Sequence, residues 1–312
     1  MTTSDTKQAD IERDKRRADQ FLRRLELDVT RRLDGLLQGD YRGLIPGRGS
    51  EPGEARAYTP GDDVRRMDWN VTARMAIPHI RESVADRELE TTVLVDLSSS
   101  LDFGTSVRTK RDLAISAVAA VGLLTDRVGN RLGVIVVDGD GVIEHRTASG
   151  RRHLLAMLHR LHRTESRSGG TDLAAGLRRL AAPGPRSGLA VVVSDLLAPG
   201  WEDSLRAVTP RHETLVIEIV DPRELDLPNV GVIELVDLET GELREVNTSR
   251  RSVRERFAAA GAARLEANAR AVRVTGAEHL VLRTDRDWLI DLARFVDRRR
   301  RNRRLARPLT RA

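Results

Sequence analysis

The chain has 312 residues, 40% of them hydrophobic, 32% charged and 3% aromatic, with no cysteine. That balance excludes a disordered or fibrous chain, and the missing sulfur excludes disulfides and thiolate metal sites. The formal charge of +6 comes from 53 basic and 47 acidic residues that interleave along most of the sequence, so charge alone argues little for nucleic-acid binding.

Residues 1–12 read as a disordered lead, without the basic-then-apolar pattern of a signal peptide. From Asp14 to Leu37, Phe21, Leu22, Leu25, Leu27, Val29, Leu33 and Leu36 recur at roughly helical spacing. One amphipathic helix is predicted there, docked on its own domain or on a partner. Residues 38–78 carry closely spaced Gly and Pro and lose periodicity, which predicts loops and short strands. A mixed strand at 78–85 precedes Thr91-Thr92-Val93-Leu94-Val95, β-branched and apolar throughout. Such a run reads as a strand buried on both faces of a parallel sheet.

A helix is predicted over 108–128, then a hairpin over 131–146 turning at Asp138-Gly139-Asp140-Gly141. Its aspartates read as turn residues, since EF-hand spacing is absent. On the next helix, 152–163, His159 and His162 are spaced to meet. With no acidic third ligand beside them, they and His153 read as solvent-facing. Then come a helix at 171–180, strand 189–193, helix 201–208, strand 213–220, hairpin 231–246, helix 253–271, strand 279–283 and helix 288–304. This alternation is that of a doubly wound α/β sheet. The arginine run from Arg298 to Arg304 reads as a solvated helix face or as a handle for an acidic partner. The longest apolar helical stretch, 113–124, is too short to span a bilayer, so a cytoplasmic protein is expected. The expected partition is a lead at 1–12, an N-terminal helix with its extension at 13–85, an α/β domain at 86–297 and a tail at 298–312.

Three fragments fall at strand ends or a helix start. Asp96-Leu97-Ser98-Ser99-Ser100 follows the central strand, Gly169-Gly170-Thr171-Asp172 opens a helix, and Ser194-Asp195 closes a strand. Open α/β sheets bind ligands at such strand ends. Asp96, Ser98, Ser100, Thr171 and Asp195 offer only oxygen, which suits Mg²⁺ or Mn²⁺ over Zn²⁺. The pattern resembles the metal-ion-dependent adhesion site of von Willebrand factor A domains, whose five positions these residues match in order. The resemblance implies that Ser98, Ser100 and Thr171 ligate directly and that Asp96 and Asp195 act directly or through water. One coordination position would stay open for a partner's carboxylate.

A second block runs Gly61-Asp62-Asp63-Val64-Arg65-Arg66-Met67-Asp68-Trp69-Asn70-Val71-Thr72-Ala73-Arg74. It combines turn chemistry with a polar network of Arg65, Arg66 and Arg74 against Asp62, Asp63 and Asp68, around a Trp69 that reads as a core filler. With this block, and with Asp221-Pro222-Arg223-Glu224 and Leu227-Pro228 further on, the chain is similar to the bacterial family known as domain of unknown function 58. That family is von Willebrand A-like and associated with MoxR-type AAA+ ATPases. Gly61, Asp62, Asp63, Arg65, Asp68, Trp69 and Arg74 carry the likeness, which spans residues 35–300.

It implies a mostly parallel, doubly wound sheet of von Willebrand A type. It also implies a non-enzymatic adaptor or chaperone component, which captures a partner carboxylate through bound Mg²⁺ and works with a MoxR-type ATPase or its client. No G-x-x-x-x-G-K-[ST] occurs, so this chain is not that ATPase. The alternative is a Mg²⁺-dependent phosphoryl-transfer enzyme with Asp96 as nucleophile. Haloacid-dehalogenase-like phosphatases place a second Asp where this chain has Ser98, and Lys110 falls on the next helix rather than at a later strand end. Nucleic-acid binding has neither an aromatic stacking platform nor a reader motif behind it.

Overall fold

The computed structural model describes residues 22, 25, 27–32, 55–59, 64, 67–75, 77–81, 90–127, 130–165, 171–183, 188–236 and 241–306. The chain divides into two compact units, residues 46–88 and the remainder.

In the smaller unit, β1 (Ala55–Ala57) pairs antiparallel with β2 (His79–Arg81), and α1 (Trp69–Met75) lies between them in sequence. Asp68 is buried and accepts the Val71 amide at 3.2 Å, which satisfies an open donor of the first helical turn. The Asp68 amide donates to the His79 carbonyl at 2.7 Å, and the His79 amide donates to Thr72 Oγ1 at 2.9 Å. The short helix is therefore held by hydrogen bonds. Trp69 is 70% exposed, which corrects its expected role as a core filler. Arg74 is exposed as well, while Gly61, Asp62, Asp63, Arg65 and Arg66 lie outside the described residues.

In chain order the larger unit contains β3 (Glu90–Asp96), α2 (Lys110–Arg127), β4 (Arg131–Asp138), β5 (Gly141–Ala148), α3 (Arg151–Arg163), α4 (Leu173–Leu180), β6 (Gly188–Ser194), α5 (Glu202–Val208), β7 (Glu213–Val220), β8 (Val232–Val236), β9 (Leu243–Asn247), α6 (Arg251–Val274), β10 (Glu278–Arg283) and α7 (Trp288–Ala306). Six strands form one sheet in the order β10-β7-β6-β3-β4-β5. All neighbours are parallel except the β4–β5 hairpin. This is the doubly wound, mostly parallel sheet expected from the sequence. β8 and β9 pair with each other in a separate antiparallel hairpin.

Side-chain alternation sorts the valine-rich strands between two cores. Val93, Val95, Val191, Val193 and Ile217 pack with Val118 and Val121 of α2, Leu158 of α3 and Leu292 of α7. Leu94, Val137, Val192 and Val216 pack with Leu173 and Leu177 of α4, Leu205 of α5 and Val272 of α6. With both faces covered, every residue of β6 is buried.

Two boundaries differ from the sequence partition. Helical residues Leu22, Leu25 and Val29 belong to the first core, so the N-terminal helix is part of the α/β unit and docks on its own domain. At the other end, α7 runs through residue 298 without a break. Arg299 is 3% exposed and paired with Glu278 at 2.9 Å and with Glu213. The run from Arg298 to Arg304 is thus a helix with at least one inward arginine, because the acidic first residues of β7 and β10 lie beneath it. His153, expected in solvent, is half-buried with Nε2 3.0 Å from the Leu132 carbonyl. Among the described residues no helix is long and apolar enough to cross a membrane.

Candidate metal centre

β3 and β6 are neighbours whose following strands, β4 and β7, lie on opposite sides of them. The strand order reverses between them, and open α/β sheets place ligand sites at such C-terminal strand ends. Asp96 is the last residue of β3, and Asp195 follows β6 directly.

Asp96 is 1% exposed. Its Oδ1 accepts the Ser98 amide at 2.9 Å, and its Oδ2 accepts the Ser194 hydroxyl at 2.8 Å. The chain then enters a 3₁₀ turn, Ser99–Asp102, which sets Ser98 Oγ and Ser100 Oγ 3.0 Å apart. Ser100 Oγ donates to Asp195 Oδ2 at 2.8 Å. Asp195 Oδ1 accepts the Leu197 amide at 3.2 Å across a turn in which Leu196 takes φ 54°. A leucine in the left-handed region is strained, and such strain gathers at functional turns. Asp96, Ser98, Ser100 and Asp195 are therefore one hydrogen-bonded set, although Asp96 and Asp195 are 99 positions apart. Thr171 stands outside this set: its Oγ1 is buried and has no hydrogen-bond partner among the described residues. It precedes Asp172, which caps α4 by accepting the Ala175 amide at 2.7 Å.

Burial, with Asp195 nearby, pushes the Asp96 carboxyl up to about 6, against the pull of its bonds to Ser98 and Ser194. Sequence reasoning set Lys110 aside on the next helix, yet its ammonium reaches this cluster. Lys110 is fully buried, and its Nζ donates to Asp195 Oδ2 at 2.8 Å and to Glu224 Oε1. Burial opposes its charge, but the two carboxylates hold its pKa above the ordinary lysine value. One signal was available: Lys110 is the single lysine beyond residue 15 in a chain that otherwise uses arginine.

Behind Lys110 lies Asp221, fully buried. It accepts the Thr105 amide at 2.9 Å, the Thr105 hydroxyl at 2.6 Å, the Thr284 hydroxyl at 2.7 Å and the Arg223 amide at 2.9 Å. Burial pulls its carboxyl upward, yet these donors hold it below the usual range. Glu224 closes a capping box on the Asp221 amide.

Hydrogen bonds bring two serine hydroxyls and two carboxylates together, hard oxygen donors of the kind that Mg²⁺ or Mn²⁺ takes. A buried hydroxyl without a partner costs free energy, and a cation accepting the Thr171 lone pair would relieve that cost. Among the described residues no group of three or more His, Cys, Asp or Glu is placed to hold a metal.

The fold is that of a doubly wound α/β protein with a cluster of oxygen donors at its switch point. The chain belongs to the family described as Protein of unknown function DUF58, whose model matches residues 54–267. "Uncharacterized protein Rv1480" of Mycobacterium tuberculosis is 50% identical over 283 residues, 90% of this chain and 89% of that protein. Among solved structures, an aerotolerance-related membrane protein from Bacteroides fragilis is 12% identical at TM-score 0.46, over 69% of this chain and 99% of that one. The SpRpn10 VWA domain is 12% identical at TM-score 0.39, over 66% and 94%.

Proposed function

We propose that the protein is a binding module in which Ser98, Ser100 and Thr171, with Asp96 and Asp195, hold Mg²⁺ or Mn²⁺ and present it to a carboxylate on a partner protein. The observation that carries this reading is the hydrogen-bonded set that joins Asp96, Ser98, Ser100 and Asp195; the unsatisfied buried hydroxyl of Thr171 supports it. Bound there, the ion supplies the strongest local positive charge of the interface. The protein's own part is to orient neutral hydroxyls, which leave that charge incompletely cancelled, and to fix both carboxylates by hydrogen bonds. Family likeness points to a MoxR-type AAA+ ATPase or its client as partner, with this chain as a cytoplasmic adaptor or chaperone component.

The test is capture of a MoxR-type ATPase from the same genome by the purified protein, with Mg²⁺ and with chelator. Capture should need the ion and should be lost in Asp96→Ala with the circular dichroism spectrum unchanged. Equal capture by Asp96→Ala would refute the reading.

A phosphoryl-transfer reading gains one observation, the buried Lys110 at the site. Against it, Lys110 bonds Asp195 and Glu224. Mg²⁺-dependent turnover of a generic phosphoester, lost in Asp96→Asn, would favour the enzyme.

A further inference from the structure

Asp195 Oδ2 receives two donors, Ser100 Oγ and Lys110 Nζ, each at 2.8 Å. The second is a full positive charge in a site otherwise built to attract one. Lys110 sits in the first turn of α2, its amide bonded to the Phe103 carbonyl at 2.9 Å, so its stem is anchored at the base of the loop that carries Ser98 and Ser100. Its ammonium bridges to Glu224, which is itself bonded to the Asp221 amide at 3.3 Å and lies 3.8 Å from Arg264 on α6. A lysine suits this place because its compact charge has three rotatable donors, whereas a planar guanidinium demands a wider fork.

We propose that the Lys110 ammonium is the built-in competitor of the divalent cation. It neutralises Asp195 when no ion is bound, sets how tightly an ion is held, and leans on Glu224 when Asp195 turns to the metal. The inference rests on the metal-binding reading above, and it makes Lys110 and Glu224 determinants of that site although neither would ligate the ion. Its physical basis is Coulombic: two cations sharing one oxygen of the buried Asp195 carboxylate repel strongly at low effective dielectric. Glu224 tempers the competition by drawing part of the ammonium's charge away from Asp195.

The two residues therefore have opposite expected effects. In Lys110→Met/Glu224→Gln, which removes the charge pair together and leaves no unpaired Glu224, Mn²⁺ should bind at least about tenfold more tightly than in wild type. In Glu224→Gln alone, Lys110 bears on Asp195 undivided, and Mn²⁺ should bind several-fold more weakly. The experiment is a titration of the full chain with Mn²⁺, reading the uncomplexed ion by electron paramagnetic resonance, with displacement by Mg²⁺ and with circular dichroism to check the fold. Loss of structure would weaken binding in both variants, so opposite signs support the competitor role. A double variant that binds no more tightly than wild type, or a Glu224→Gln protein that binds more tightly, overturns it while leaving the metal site standing. No binding by any of the three proteins removes the metal reading and the competitor with it. If the double variant and not wild type binds Mn²⁺, Lys110 holds the site closed, the strongest form of the proposal.

Discussion

Replacing Arg299 by Met removes one charge and keeps most of the aliphatic stem. The side chain is 2% exposed, and it donates to Glu278 Oε1 at 2.9 Å and to Glu213. A hydrogen bond to a charged group contributes roughly 1.5–3 kcal/mol. Here the acids are 32% and 39% exposed, so water screens them and re-solvates them when the guanidinium is gone. A net loss of about 2–3 kcal/mol follows for the two bonds together. For a domain of this size that is a fall in Tm of about 4–10 °C. The matched control is Arg301→Ala: Arg301 pairs with Asp297 at 2.7 Å but is 74% exposed. Its loss should cost under about 0.5 kcal/mol. Thermal melts followed at 222 nm measure both. If Arg299→Met falls no further than Arg301→Ala, Arg299 is as solvated as the arginine run suggests from sequence, and its inward placement is wrong.

Asp96 gives a pH test in chelator. Its carboxyl sits at about 6 in the fold against 3.8 as the ordinary value, so the native state binds its proton more tightly than the unfolded chain does. Its contribution to stability is full at low pH and is lost as pH rises through about 6, a swing of roughly 3 kcal/mol. Urea midpoints of wild type relative to Asp96→Asn should therefore decline from pH 4.5 to 7; a flat difference contradicts the burial argument. Gly188→Ala would place a methyl 1.9 Å from the Glu90 carbonyl oxygen, a backbone atom that cannot rotate away. A loss of about 2 kcal/mol or more is expected in the same urea assay, and wild-type stability would show that β3 and β6 do not pair in this register. Trp69→Ala should change Tm by less than about 2 °C, since an indole 70% exposed contributes little burial. A drop as large as that of a core residue would restore its expected role inside.

The sheet was legible because its strands are apolar runs between turn signals; the boundaries at 213–220 match β7 residue for residue. That Asp96, Ser98, Ser100 and Asp195 would come together was legible because Asp96 and Asp195 end neighbouring parallel strands, where the hydrogen bonds now join them. Lys110 was not, because its tie to Asp195 crosses 85 positions and depends on how α2 lies against the end of β6. Arg299 was hidden by its neighbours: six arginines stand within residues 298–304, and only packing decides which one turns inward. Trp69 misled for the opposite reason, since bulk alone does not bury a side chain when a buried Asp68 and the Thr72 hydroxyl already fasten its helix.

Asp221 has a mechanical consequence. One carboxylate ties the segment after the serine turn, through Thr105, to the ends of β7 and β10, through Arg223 and Thr284. All four bonds are made by the chain's own groups, so the rim formed by this segment and the two strand ends is braced from within. A partner meeting such a rim spends little on ordering loops, and association should be limited by encounter rather than by rearrangement.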